Sequence, residues 1–89
     1  MVEAEVEIVN RLGLHARAAA KLVHTASSFD SEVFLRSDDQ EVDAKSILGV
    51  LLLAAAQGVK IWIRCDGVDE EEALRSIREL IGDLFGEKE

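Results

Sequence analysis

The sequence predicts an α/β (α+β) fold, an open-faced β-sandwich of order βαββαβα in which a four-stranded antiparallel sheet is covered on one face by three helices. Three observations lead there. Four segments carry strand alternation or hairpin spacing, and three others carry helical composition or helical apolar spacing. Every strand candidate has one polar and one apolar face, so the sheet meets a core on one side only. With 89 residues, no proline and no glycine/serine-rich stretch, the chain has room for a single domain, residues 1–89. A chain of this size buries a little over ~60% of its unfolded surface, which suffices for one modest core but not for a deep substrate cavity.

Each element has its own warrant. Val2, Ala4, Val6 and Ile8 alternate with Glu3, Glu5 and Glu7, which puts acids on water and aliphatics on a core: a first strand. Ala16 to Ser27 holds five alanines with Leu22 and Val23, and no glycine, proline or acid, which predicts a helix. Asp30 and Ser31 turn the chain. Glu32 to Ser37 and Gln40 to Asp43, separated by Asp38-Asp39, form a hairpin. Ser46 suits an N-cap and Gly58 a C-terminal stop, so a second helix is expected between them. Lys60, Trp62 and Arg64 alternate with Ile61, Ile63 and Cys65 in a last strand, which Asp66-Gly67 ends. Asp69 with Glu72 three residues on reads as a capping box, and Leu74, Ile77, Leu80, Ile81 and Leu84 recur at helical spacing beyond it.

Composition excludes several functions. Ten Lys and Arg against 18 Asp and Glu leave a net charge of -8, which argues against nucleic acid and anionic membrane surfaces as partners. The sole cysteine, Cys65, cannot form an intrachain disulfide and fits a reducing compartment. The stretch from Met1 to Glu7 carries three glutamates and no basic residue, unlike a secretory signal, so a cytoplasmic protein is expected. The longest apolar run, Ile47 to Ala56, is ten residues, about half of the ~20 that span a bilayer. His15 and His24 lie about two and a half turns apart, not at the i, i+4 spacing of a shared metal site, and no metal is expected. No glycine-rich phosphate loop appears, so independent ATP use is unsupported.

His15 stands where the first helix begins, and a helix N-terminus leaves backbone N–H groups without partners. A phosphoryl group on His15 would meet the amides of Ala16 and Arg17, with the helix dipole adding ~0.3–1 kcal/mol and the Arg17 side chain a charge-assisted hydrogen bond. Gly13 lets the backbone turn closely enough to present the ring, and neutral imidazole is a nucleophile near pH ~7. The residues alone also allow a histidine that merely caps its helix. The acids nearest in sequence, Glu7 and Asp30, are not obviously placed to assist, so an autonomous enzyme is disfavoured.

The run Gly13-Leu14-His15-Ala16-Arg17 is similar to the active-site signature of the HPr family, the histidine-containing phosphocarriers of the bacterial phosphotransferase system. The resemblance spans nearly the whole chain. It continues through Asn10, Ala26-Ser27, Lys45-Ser46-Ile47-Leu48-Gly49-Val50, Gly58 and Asp66-Gly67. It implies that enzyme I donates a phosphoryl group from phosphoenolpyruvate to His15, with Arg17 stabilising it, and that enzyme II A-type domains accept it. The chain would then be a stoichiometric relay with no cofactor and no catalysis of its own. Ala18 replaces the family's usual proline, and alanine keeps the helical geometry available. Phe29-Asp30-Ser31-Glu32-Val33 and Leu35-Arg36 look like the nitrogen-branch carriers, NPr, whereas Lys45-Ser46-Ile47 looks like the sugar branch. A nitrogen-branch carrier and a purely regulatory binding module of the same fold therefore stand as alternatives.

Acids are absent from Val9 to Phe29 and from Ala44 to Cys65, which leaves Arg11, Arg17, Lys21 and Lys45 on a face expected to meet acidic partners. Ile47 to Ala56 is apolar all round. Val50, Leu53 and Ala54 can fill the core, leaving some of Ile47, Leu48, Leu51 and Leu52 exposed for docking. The resemblance implies that role for Ile47, Leu48 and Leu51; Ala20 and His24 complete the expected docking surface. Ser46 has two readings, an ordinary cap and a regulatory phosphorylation site served by a serine kinase and phosphatase. A monomer is expected.

Overall fold

The computed structural model describes residues 1–88. The order is β1 (Val2–Glu7), α1 (Ala16–Ser27), β2 (Glu32–Ser37), β3 (Gln40–Asp43), α2 (Ile47–Leu53), β4 (Lys60–Asp66) and α3 (Glu70–Gly82), followed by a single 3-10 turn, Leu84–Gly86. The strands form one antiparallel sheet in the spatial order β1-β4-β2-β3. This is the open-faced sandwich that the alternating strands predict, with the first helix and the hairpin at the expected bounds.

Period-two alternation sorts the two faces of the sheet. Val33 and Leu35 of β2 and Ile61, Ile63 and Cys65 of β4 are fully buried against Leu22 and Ala26 of α1 and Ile77 and Ile81 of α3. Burial pushes the Cys65 thiol up to about 11, so it is no thiolate nucleophile near neutrality. On the open face, Arg36 lies over the Trp62 ring and Arg64 over Phe34, while Arg64 also reaches Glu41 at 2.9 Å. Trp62 thus packs on the solvent side, as its place in the alternation implies.

Three expectations are corrected, each by a tertiary contact. The second helix does not run to Gly58: it ends at Leu53, and Ala54 adopts the left-handed conformation (φ 50, ψ 37). The chain beyond it folds back, with Leu14 N donating to Ala55 O at 2.9 Å and Gly58 N to Ile8 O at 2.7 Å. Ala55 is consequently buried, and Ala54, expected in the core, is exposed. Asp69 precedes α3 but makes no capping box with Glu72; its carboxylate instead accepts from Asp30 N, Ser31 N and Ser31 Oγ, which holds it below the usual carboxylate range, the Ser31 hydroxyl contributing most. Finally, α3 stops at Gly82. Leu84 falls outside the helix at positive φ, and Phe85, not Leu84, drives fully into the core.

Candidate functional site

Two loops carry His15. Asn10, buried, donates from Nδ2 to Gly13 O at 2.8 Å and pins the turn between β1 and α1. Gly13 takes φ +67, and a Cβ there would stand 2.6 Å from Ala55 O, so the folded-back segment after α2 is a floor that only glycine can approach. Leu14 is buried against that floor, and the next residue emerges at the surface. His15 is the N-cap of α1: its ring Nδ1 accepts from Arg17 N at 3.3 Å, and its carbonyl accepts from Ala19 N at 2.8 Å.

The second ring nitrogen has a partner that the sequence reading missed. Nε2 of His15 bonds to Glu87 Oε2, and the other oxygen of that carboxylate accepts from Asn10 Nδ2 at 2.9 Å. A carboxylate only accepts, so Nε2 carries the ring proton and Nδ1 keeps its lone pair, turned to the first turn of α1. The Asn10 amide, and behind it the imidazole and Lys21, holds the Glu87 carboxyl below the usual carboxylate range against the opposing effect of desolvation. Glu87 lies 72 residues from His15, beyond the reach of any helix or strand period. Phe85 in the core and Lys21 Nζ, which donates to Phe85 O at 2.6 Å, seat the turn that carries it. A large apolar residue followed by Gly86, just past the helix end, was the available signal that the chain turns back there.

His15 retains 25% side-chain exposure, with the carboxylate of Glu87 alongside at 12%; the ring is accessible, not packed inside. Arg11, Arg17, Lys21 and Lys88 line a shallow cleft together with Glu87, a basic rim on an acidic protein. Ala16, Arg17, Ala20 and His24 are exposed along α1. Ser46 caps α2, its hydroxyl accepting from Gly49 N at 3.1 Å, and Lys45 Nζ donates to Phe29 O at 2.8 Å. Ile47, Leu48, Leu51 and Leu52 form an exposed apolar stripe while Val50 and Leu53 are buried, and α2 packs against α1. Leu12, 62% exposed in the loop before His15, is a further apolar surface residue that the sequence reading passed over. Among the described residues no group of three or more His, Cys, Asp or Glu could hold a metal ion, and no helix is long and apolar enough to cross a membrane.

The family described as "PTS HPr component phosphorylation site" matches residues 2–83. The phosphocarrier protein HPr of Neisseria meningitidis serogroup A is 49% identical over 89 residues, covering all of both chains. The crystal structure of HPr-C-His from Thermoanaerobacter tengcongensis superposes with a TM-score of 0.97 at 44% identity, again over the whole of both chains. A crystal structure of an HPr dimer from the same organism matches 98% of this chain and 100% of that one at 45% identity, with a TM-score of 0.79. Matched in sequence and in fold over nearly its full length, this chain belongs to the HPr family of phosphocarrier proteins.

Proposed function

We propose that this chain accepts a phosphoryl group on Nδ1 of His15 from enzyme I of the phosphoenolpyruvate-dependent phosphotransferase system and passes it to an enzyme II A-type domain. It acts as a stoichiometric relay, in the cytoplasm where phosphoenolpyruvate is made, and as a single copy. The observation that carries this reading is the lone pair of Nδ1 facing the first turn of α1. Arg17 N, which donates to that lone pair at rest, is the donor that an attached phosphoryl oxygen takes over. The Ala16 amide and the exposed Arg17 guanidinium are the further groups within the same turn suited to the arriving charge. Because the same donors serve the phosphoryl group in both directions, the bond is held without being trapped, as a carrier requires.

The test is incubation with phosphoenolpyruvate and enzyme I, followed by mapping of the added mass under non-acidic conditions, where a phosphohistidine survives. One phosphoryl group per chain on His15 is the expected result; modification elsewhere, or none, removes the proposal. Sugar-branch and nitrogen-branch A-type domains offered in parallel then assign the branch.

Docking is assigned to the exposed stripe of Ile47, Leu48 and Leu51, with Ala20 and His24 on the adjoining α1 surface. Leu48 is 70% exposed, so Leu48→Glu should leave thermal unfolding unchanged and weaken partner binding by about tenfold or more, the size of a buried interface anchor. Titration of enzyme I by calorimetry checks it, and an unfolded variant would return Leu48 to a core role. Ser46 sits at the end of that stripe, where a kinase-added phosphate would place charge beside the apolar patch. Ser46→Asp keeps a competent N-cap and should slow phosphoryl exchange several-fold with the melting temperature unchanged; unaltered exchange would leave Ser46 a cap only.

A further inference from the structure

Glu87 has no part in the signatures that identify the family site, yet its side chain is in direct contact with the reactive ring. Resting on the function proposed above, we infer that Glu87 is a positioning residue for phosphoryl transfer: its carboxylate holds the Nε2 proton of His15, presents the Nδ1 lone pair, and stabilises the positive ring that exists while the phosphoryl group is attached.

The geometry is specific to a carboxylate. One oxygen accepts from Asn10 Nδ2 and the other from His15 Nε2, so both must be acceptors. An amide at this position would set an NH2 group against one of two donors. Asn10 cannot simply turn over to accommodate it, because its Nδ2 also donates to Gly13 O and that bond would be lost. Asn10 is fully buried and Phe85 anchors the preceding turn, so the carboxylate is presented from a fixed base rather than from a loose tail.

The electron balance gives the charge its purpose. As the lone pair of Nδ1 forms the N–P bond, the bond from phosphorus to the phosphorylated donor breaks, and the leaving group takes that electron pair. The ring retains its Nε2 proton and becomes cationic. In onward transfer a lone pair of the acceptor forms the new bond to phosphorus as the N–P electrons return to Nδ1; the ring is again neutral, so neither step requires a proton to enter or leave the imidazole. A carboxylate on Nε2 favours the cationic ring in the same way that an acid partner favours imidazolium in hydrolytic triads. Among the described residues, the other charged groups lining the cleft with Glu87 are Arg17 and Lys21 on α1, Arg11 on the preceding loop and Lys88 after the turn; these are cations that suit the phosphoryl group, and none can accept the ring proton.

The experiment compares the full chain with Glu87→Gln and Glu87→Ala. Ring nitrogen NMR of the unphosphorylated wild type should show Nδ1 as the unprotonated, pyridine-type nitrogen and Nε2 as the protonated one, with a slowly exchanging Nε2 proton. The variants should lose that proton signal and average the two nitrogens. With enzyme I and phosphoenolpyruvate, both variants should be phosphorylated about tenfold or more slowly, the scale of losing one hydrogen bond to a charged group, while their melting transitions stay cooperative and well above the assay temperature. Wild-type shifts of the opposite pattern overturn the inference whether or not the variants fold, as do wild-type transfer rates in both variants. Slower transfer with unchanged ring signals also overturns it, since Glu87 would then act on the partner and not on the ring. Failure of the wild type to be phosphorylated is a different result, which removes the relay itself.

Discussion

On the proposed relay, His15→Ala should abolish phosphoryl uptake from enzyme I while leaving a folded protein. The ring is part-exposed, and its removal loses a long cap bond and the contact with Glu87, a cost of about 1–2 kcal/mol of stability. No other side chain inherits the chemistry. His24, the second histidine, is exposed but sits in the last turn of α1, where the helix dipole presents its negative end and disfavours a phosphoryl group. Mass mapping under non-acidic conditions should find unmodified variant beside fully modified wild type, and a circular dichroism melt should show a cooperative transition lowered by about 4–16 °C. Residual modification at His24 would mean that the helix mouth does not select the site.

Phe85→Ala should produce the largest loss of stability that reaches the site. Phe85 is fully buried, and aromatic-to-alanine changes in cores cost roughly 3–5 kcal/mol, which for a domain of this size lowers the melting temperature by at least ~12 °C. Phe85 also holds the left-handed backbone (φ 55, ψ 29) that swings Glu87 over His15, and its carbonyl takes the Lys21 ammonium. The same variant should therefore expose the imidazole and release the Nε2 proton to solvent exchange. Thermal unfolding and ring NMR on one sample check both halves. A melting temperature only slightly lowered, with the ring contact gone, would show that the turn undocks as a local unit without unfolding the sheet.

The site was half legible before folding. His15 could be placed at a helix mouth because the break after Gly13 and the alanine-rich run from Ala16 are adjacent in the chain and need no partner to be read. The apolar stripe was legible for a similar reason: Ile47 to Ala56 holds more apolar residues than one core-facing stripe can use, so some had to face water, and Ile47, Leu48, Leu51 and Leu52 do. Glu87 was not legible. Proximity in sequence pointed to Glu7 and Asp30 as the nearest acids, whereas the carboxylate beside the ring comes from the far end of the chain. Asp69 misled in the opposite way. Its spacing to Glu72 matched a capping box, but two backbone amides and a hydroxyl around Ser31 offered it more hydrogen bonds than the helix could.

By itself the sequence determined the order of the elements, the face each strand turns to the core, the histidine at the mouth of α1 and the excess of apolar surface on α2. Those are consequences of period and of neighbouring residues. Only the tertiary structure decided where α2 stops, which acid leaves its helix for Ser31, and which carboxylate meets the imidazole. Each of these is settled by competition among donors and acceptors tens of residues apart, and that competition exists only once the core has closed and brought them within hydrogen-bond range.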